Sequence, residues 1–265
     1  MNSLKEFNAF LEIAHICDWI KDYFVKNGPE AKAIIGMSGG KDSTIAAALL
    51  VRALGPERVI GVMIPNGAQE DKDMAVYACQ AAGIPEENRI EVNISGAINE
   101  LYQAVDTSIA ELPIVYSNTP ARMRMIVLYM IAGKYHGRVV NTCNYSEDYV
   151  GYSTKYGDAA GDFSILSKYC VREVIAIGKA LGLNEKLVYK TPSDGMCGKT
   201  DEENLGFSYE VLDSLLIDGV TPEYEVYKNI QERHLRNRHK TQAINLPTPT
   251  PITVFRSYDH WDMEF

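Results

Sequence analysis

Six residues near the start of the chain combine groups that could bind phosphate and a metal ion. Residues 38 to 43 read Ser-Gly-Gly-Lys-Asp-Ser, between an apolar run at 33–35 and a helix-forming run at 44–51. Unpaired N–H groups at a helix start attract phosphate, and the glycines let the backbone approach it closely. A carboxylate such as Asp42 would repel a polyphosphate unless a cation lay between them, which implies Mg²⁺. The turn therefore predicts a nucleotide phosphate site that uses magnesium.

This turn is not a Walker A loop, although it shares a Gly-Lys pair with one. The Walker A motif requires a first glycine, four residues, then Gly-Lys followed by Ser or Thr. Here Asp42 follows Lys41, and Ile35 stands where the first glycine would be. An ordinary glycine-containing turn before a capped helix is the remaining alternative to a phosphate site.

Strands that alternate with helices must position this turn. We expect one α/β domain, with a central parallel sheet covered by helices on both faces. Ligands of such sheets bind beyond the carboxyl ends of the strands, where the turn lies. A long loop is expected at 190–204. The expected strands are 31–37, 58–64, 89–94 and 138–142, and the expected helices are 8–26, 41–54, 70–82, 96–110, 119–136 (with Pro120 at its start), 208–217 and 222–237.

Composition and charge limit the partners and the compartment. The 265 residues are 46% hydrophobic and carry a formal net charge of -9, which argues against a nucleic-acid or membrane-surface binder. The five cysteines form no C-x-x-C pair, so neither zinc nor a disulfide framework is expected. The first residues contain no apolar signal core, and no apolar run is long enough to span a bilayer. These features predict a cytoplasmic protein.

A second polar run, at residues 141–158, could complete the site. Glu147 follows the expected strand at 138–142 and could supply a second carboxylate to the metal at Asp42. Lys155 and Asp158 place a cation and an anion on a glycine-containing turn. The alternative is a polar surface loop, which explains poorly why so many Tyr and Gly residues occur together.

Both runs resemble known signatures. Ser-Gly-Gly-Lys-Asp-Ser at 38–43 resembles the pyrophosphate loop, S-G-G-x-D-S, of the ATP pyrophosphatase superfamily, whose fold is adenine nucleotide alpha-hydrolase-like. The run at 141–158 resembles the G-T-x-N-x-S-E…G-Y-x-T-K-Y-G-D signature of ammonia-dependent NAD synthetases. Further similarity covers about residues 34 to 240. Its pieces are P-N-G-A-Q at 65–69, N-T-P-A-R-M-R-M at 118–125, T-P-S at 191–193, T-D-E-E-N-L-G at 200–206 and the pair His239-Lys240.

The resemblance implies a reaction and an organisation. ATP adenylates the carboxylate of deamido-NAD, pyrophosphate leaves, and ammonia then displaces AMP to give NAD. Residues 1–265 would form one synthetase-like domain, with a mobile loop at 194–204 and a Pro-rich tail at 241–265. Its partners would be ATP, deamido-NAD and ammonia, and the resemblance together with apolar helices at 96–110 and 119–136 predicts a homodimer.

The resemblance also implies roles for individual residues. Asp42 and Glu147 would hold Mg²⁺ and, with Lys155, carry the catalysis. ATP would be bound by Gly36, Ser38, Gly39, Gly40, Lys41, Asp42, Ser43, Gln69, Thr142 and Ser193. Deamido-NAD would be bound by Arg122, Lys155, Asp162, His239 and Lys240.

Two positions depart from the family pattern. A lysine that contacts ATP usually stands nine residues after Asp162, and here that position is Val171. Lys168 or Arg172 could take its place, or the contact is absent. Asn141 stands where the family often has glycine.

Two other functions compete with the synthetase. A tRNA-thiolating adenylating enzyme would need a catalytic cysteine pair and a basic RNA surface, and neither is evident. An ATP-binding regulatory module would not need the acid at Glu147 or the Lys-Tyr-Gly-Asp turn at 155–158.

Overall fold

The computed structural model describes residues 7–68, 72–190 and 200–242. Its described strands are β1 Ala33–Gly36, β2 Val59–Met63, β3 Arg89–Glu91, β4 Arg138–Asn141 and β5 Phe163–Ser164. Its described helices are α1 Ala9–Asn27, α2 Lys41–Leu54, α3 Lys72–Ala81, α4 Ser95–Val105, α5 Pro113–Tyr135, α6 Tyr145–Val150, α7 Val171–Ala180, α8 Glu185–Val188, α9 Asp201–Leu205, α10 Tyr209–Asp218 and α11 Tyr224–Asn237.

The five strands form one parallel sheet in the order β3-β2-β1-β4-β5. From β1 the chain moves outward through β2 to β3, then returns to the other side of β1 to form β4. The strand order therefore reverses at β1 and β4. In open parallel sheets, the crevice beyond the carboxyl ends of two such strands is the usual ligand site.

The apolar residues of the strands alternate between two cores, one on each face. Ile35 packs with α1, α2 and α7, whereas Ile34 and Ile60 pack with α4 and α5. This period of two, with both faces buried, is why β1 and β2 read as continuous apolar runs. The expected α/β fold with helices on both faces is confirmed.

A third apolar cluster joins the helices that follow the sheet. Val150 of α6, Val171 of α7 and Leu212 of α10 pack together, with further contributions from α9 and α11. This cluster holds α6, which carries Glu147, against the C-terminal helices.

Several expected boundaries are wrong. The helix expected at 119–136 begins at Pro113, and Pro120 lies in its interior; the proline that starts the helix is the earlier one. The helix expected at 96–110 ends at Val105, because Asp106 caps a separate turn through a 2.9 Å bond from Ser108 N. The strand expected at 89–94 ends at Glu91.

Strand β5 was not expected, and one expected loop is partly helical. Residues 201–204 belong to α9, which Thr200 begins with a capping box to Glu203. Residues 194–199 and 243–265 lie outside the described part of the chain, so the mobility of that loop and the role of the tail stay predictions. None of the helices in the described ranges is both long and apolar enough to cross a membrane.

Candidate active site

The Ser38–Ser43 turn lies in the crevice beyond β1, as its sequence predicts. Gly40 ends the turn at φ -82 and precedes α2, and no side chain within the described ranges caps this helix. The N–H groups of the first turn of α2 are therefore directed at the crevice, where they can bind phosphate. Ser38 Oγ lies 3.1 Å from Ser43 Oγ and accepts a 3.2 Å bond from Gly40 N, so both hydroxyls stay beside these N–H groups.

Gly39 is the residue that gives this turn its shape. Its φ of +77 lies in the left-handed region, which side chains with a Cβ rarely adopt. A Cβ there would also lie 2.9 Å from the backbone of Met74 and Ala75 on α3. Helix α3 thus packs directly against the turn and holds it in place.

Asn144 connects the turn to the second carboxylate. Its side-chain amide donates to Asp42 Oδ1 at 3.2 Å, and its backbone N–H donates to Glu147 Oε2 at 3.1 Å. Its Oδ1 in turn accepts from Glu147 N at 3.0 Å, which completes a capping box at the start of α6. Asp42 and Glu147, 105 positions apart, therefore meet where β1 and β4 end. Asn144 was not among the predicted site residues, although an Asn three residues before a Glu is the sequence signal of such a box.

The two carboxylates repel one another, and one lysine offsets part of that repulsion. Burial and then the charge of Asp42 raise the pKa of Glu147 well above its ordinary value. Lys41 is 3% exposed, and its Nζ lies 2.8 Å from Asp42 Oδ2. Burial alone would lower the pKa of Lys41, but the charges of Asp42 and Glu147 outweigh it and raise that pKa. Ionisation of both carboxylates would therefore leave the site with excess negative charge, which a bound cation would relieve.

This donor set fits Mg²⁺ that is shared with a nucleotide. Within the described ranges, no group of three or more His, Cys, Asp or Glu side chains could hold a metal alone. Mg²⁺ is typically held by one or two carboxylates, together with waters and substrate phosphates. Asp42 and Glu147 meet that requirement beside the N–H groups of α2.

Four of the residues expected to bind deamido-NAD gather around the turn at 151–158. Lys155 Nζ donates to His239 O at 2.6 Å, and Arg122 Nε donates to Lys155 O at 3.2 Å. Lys240 Nζ donates to the carbonyls of Gly151 and Ser153 at 2.7 and 2.9 Å. Three cations thus surround one loop next to α6, although the chain as a whole is acidic.

Asp162 lies apart from these four residues. Its Oδ2 accepts from Val139 N at 2.7 Å and its Oδ1 from Tyr129 Oη at 3.2 Å. Val139 is near the amino end of β4, so the length of a short strand, roughly 10 Å, separates Asp162 from the carboxyl-end crevice.

The remaining predicted residues have less defined surroundings. Gly36 ends β1 and Thr142 directly follows β4, so both border the crevice. Gln69 and Ser193 lie outside the described residues. Lys168 is exposed, and the guanidinium of Arg172 is paired with Asp218 at 2.8 Å on the surface. Val171 donates its N–H to Ser146 Oγ at 3.1 Å.

A buried hydrogen-bond network next to Glu147, around Ser146 of the same helix, was not predicted. Asp213 is 1% exposed and accepts from Ser146 Oγ at 2.6 Å and from Arg172 N at 2.7 Å. These bonds fix α6 to α7 and α10. Asp213 is 67 positions from Ser146, and nothing in the sequence pairs the two.

Together, the parallel sheet, the glycine-containing turn at its switch point and the paired carboxylates define an ATP-using enzyme of the pyrophosphate-loop class. The NAD synthase family profile matches residues 12–245, and the chain belongs to that family. It is 34% identical to the NH₃-dependent NAD⁺ synthetase of Methanosarcina mazei, over 88% of this chain and 95% of that protein. It is 36% identical to the enzyme of the same name from Thermoplasma acidophilum, over 81% and 88%.

Solved structures agree with this assignment. An NMN synthetase from Francisella tularensis superimposes with a TM-score of 0.80 at 30% identity, over 91% of this chain and 99% of that one. The NAD⁺ synthetase of Burkholderia pseudomallei superimposes with a TM-score of 0.73 at 26% identity, over 89% and 90%. The predicted membership of the ammonia-dependent NAD synthetases is confirmed, and the chain is a ligase of NAD biosynthesis.

Proposed function

We propose that this protein amidates deamido-NAD with ammonia, using ATP and giving NAD, AMP and pyrophosphate. The observation that carries the proposal is the Asn144 bridge, which brings the second carboxylate, Glu147, to the phosphate-binding turn at Asp42. A regulatory ATP-binding module would have no use for this arrangement, and its position beside the Lys155 loop suits a second anionic substrate.

The first half of the reaction takes place at α2. The N–H groups of its first turn, with Ser38 and Ser43, hold the β- and γ-phosphates and leave the α-phosphorus facing the crevice. One oxygen of the nicotinate carboxylate attacks that phosphorus, the bond to the β-phosphate oxygen breaks, and pyrophosphate leaves. Asp42 and Glu147 would hold Mg²⁺, which would neutralise part of the negative charge on the leaving pyrophosphate.

The second half of the reaction requires the adenylated acid to stay in position. Arg122, Lys155 and Lys240 lie around one loop and can hold the pyrophosphate of deamido-NAD by charge-assisted hydrogen bonds. Ammonia attacks the carbonyl carbon, the C–O bond to AMP breaks, and a proton leaves the nitrogen. Gln69, Thr142 and Ser193 remain proposed ATP contacts, and His239 and Asp162 remain proposed contacts of deamido-NAD.

A mononucleotide acceptor is the second candidate substrate. The solved NMN synthetase supports this candidate, because nearly the whole length of that protein superimposes on this chain. Both acceptors present the same nicotinate carboxylate, and they differ in whether an AMP half extends from the first phosphate.

Rate measurements with both acceptors test the proposal. The protein is mixed with Mg-ATP, ammonium and either deamido-NAD or nicotinate mononucleotide, and the amide product and AMP are quantified. We expect kcat/KM for deamido-NAD to exceed that for the mononucleotide by roughly tenfold or more, since the cations around Lys155 have a second phosphate to bind. A preference for the mononucleotide would establish the second candidate, and AMP formation with neither would reject both.

We propose further that residues 1–265 act as one synthetase-like domain in the cytoplasm. The helices after β5 share the cluster of Val150, Val171 and Leu212 with α6, so they pack as part of the same unit. Cys17, Cys79, Cys143 and Cys170 are buried free thiols, which suits a reducing compartment.

The protein is expected to be a homodimer through α4 and α5. Large apolar side chains stand exposed there, among them Val105 at 63%, Ile126 at 53% and Met130 at 70%. Ile126→Asp combined with Met130→Asp should convert a dimer into monomers in sedimentation velocity at micromolar concentration, because charges would be buried without partners. Leu235→Asp, at an exposed side chain on α11, is the matched control and should stay dimeric. A wild-type protein that sediments as a monomer would contradict the prediction.

A further inference from the structure

Lys41 places an ammonium group inside a cluster of carboxylates. The side chain is 3% exposed, and its Nζ lies 2.8 Å from Asp42 Oδ2. Glu147 and Asp201 are close enough for their charges to act on it as well. Asp201 is 6% exposed, so this is an interior cluster and not a solvated surface pair. One buried cation therefore contacts Asp42 directly and lies within electrostatic range of two further carboxylates.

Tyr209 adds a buried hydroxyl to the same cluster. The residue is 3% exposed, and among the described residues its Oη has no donor or acceptor within reach. Lys41 Nζ lies 5.9 Å from the centre of its ring, and the charges of Glu147, Asp201 and Asp42 act on the hydroxyl. A buried O–H without an acceptor is destabilising, so its presence points to a ligand oxygen that enters the cluster.

The position of Lys41 restricts how the cluster can bind a divalent cation. Asp42 Oδ2 is engaged by the ammonium and Oδ1 by Asn144, so both oxygens already have a donor. A divalent cation at Asp42 must therefore compete with Lys41. The lysine has four rotatable methylenes and can turn its ammonium toward another anion without movement of the helix.

We propose that Lys41 is the counter-ion of this cluster in the ligand-free protein. When Asp42 and Glu147 bind a divalent cation, the Lys41 ammonium turns away from Asp42 and forms an ion pair with a phosphate oxygen beside Tyr209 Oη. The proposal rests on the proposed function, since the phosphate is that of ATP or of the pyrophosphate product. Lys41 would thus keep the two carboxylates together before the substrates arrive and then help to neutralise the leaving group.

Two titrations of the nucleotide-free protein test this exchange. In the first, MnCl₂ is added and free Mn²⁺ is followed by electron paramagnetic resonance. In the second, pyrophosphate is added in the presence of saturating Mg²⁺ and the heat of binding is measured. Wild type is compared with Lys41→Met and with the control Lys21→Met, which removes an exposed lysine that also pairs with an aspartate at 3.1 Å.

The expected changes have opposite directions. Lys41→Met should bind Mn²⁺ roughly tenfold more tightly, because the competing ammonium is gone, and pyrophosphate roughly tenfold more weakly. Lys21→Met should behave as wild type in both titrations. Unchanged or weaker Mn²⁺ binding by Lys41→Met would overturn the counter-ion role, and unchanged pyrophosphate binding would overturn the transfer to phosphate. Lys41→Gln is measured in the same way if the methionine variant does not fold.

Tyr209→Phe provides the second measurement. Since the hydroxyl has no partner among the described residues, its removal should leave the thermal midpoint equal or higher, while pyrophosphate binding weakens about fivefold. A lower midpoint with unchanged pyrophosphate binding would show that the hydroxyl is structural and would overturn its place in the proposal. Neither titration contains deamido-NAD, so the role of Lys41 is tested independently of which acceptor the enzyme amidates.

Discussion

Asp42→Asn should lower the rate of AMP formation by roughly a hundredfold or more and leave the fold intact. The amide has the shape of the carboxylate, and its Oδ1 can still accept the hydrogen bond from Asn144. What is lost is the charge that, with Glu147, would hold Mg²⁺ on the phosphates, together with the Oδ2 acceptor of the Lys41 ammonium. The rate is measured with saturating ATP and deamido-NAD while Mg²⁺ is varied. Asp18→Asn, at an exposed side chain on α1, is the matched control and should retain wild-type activity.

Glu147→Gln should reduce the rate by a similar factor, and the double variant should be barely slower than either single one. Both substitutions damage one shared site, so their effects on the activation free energy should not add. Effects of the two substitutions that add fully would contradict a shared metal site. Near-normal turnover of Asp42→Asn would contradict the phosphate site and leave the turn as an ordinary start of a capped helix.

Glu147 should also make the stability of the folded protein depend on pH. Burial and the charge of Asp42 raise the pKa of Glu147, so the folded protein favours its protonated form. A group whose pKa is higher in the folded state stabilises the protein at pH values below its unfolded-state pKa. That stabilisation is lost as the pH rises through its folded-state pKa. Metal-free Glu147→Gln should therefore have a thermal midpoint at pH 7 equal to or above that of wild type, although its activity is lost.

Gly39→Ala should destabilise the protein by about 2 kcal/mol or more, whereas Gly40→Ala should change stability by less than about 1 kcal/mol. Gly39 has φ +77, and a Cβ there would meet the α3 backbone at 2.9 Å, where nothing can move easily. Gly40 has φ -82, and its Cβ would approach only the Ser38 hydroxyl, at 3.2 Å. The two variants thus differ by one position and by the sign of φ.

Chemical denaturation of both variants measures the difference. Gly39→Ala should also lose roughly tenfold or more in ATP turnover, because the turn can relieve the clash only by moving away from α3 and misdirecting the N–H groups of α2. Equal free energies of unfolding for the two variants would show that the turn does not have the geometry described. The two variants are compared by stability, since both glycines border the proposed phosphate site and a rate alone would not separate them.

The sequence predicted those parts of the fold and site that depend on local chemistry. Buried strands are visible as apolar runs, and the glycines at the strand–helix junction at 38–43 predict a phosphate site. Asp42 and Glu147 each follow a strand, and in a parallel sheet the carboxyl ends of strands meet at one edge. Their proximity is therefore predictable, and the structure connects them through Asn144.

What the sequence did not predict depends on contacts between distant segments. Strand β5 is two residues long and exists only because it pairs with β4. Tyr209 approaches Lys41 from α10, a helix whose position is set by apolar packing with α6 and α7. Asp162 was grouped with Lys155 and His239 by resemblance, but its carboxylate accepts bonds near the amino end of β4. No local pattern specifies such placements.

The central claim is that a carboxylate of the acceptor attacks the α-phosphorus of ATP at the Ser38–Ser43 turn. Deamido-NAD labelled with ¹⁸O in both carboxylate oxygens tests it most directly, with ATP, Mg²⁺ and ammonium unlabelled and the products analysed by mass spectrometry. One ¹⁸O should appear in AMP, the other should stay in the amide of NAD, and pyrophosphate should carry none. Labelled inorganic phosphate with ADP as co-product, or AMP free of label, would contradict the claim.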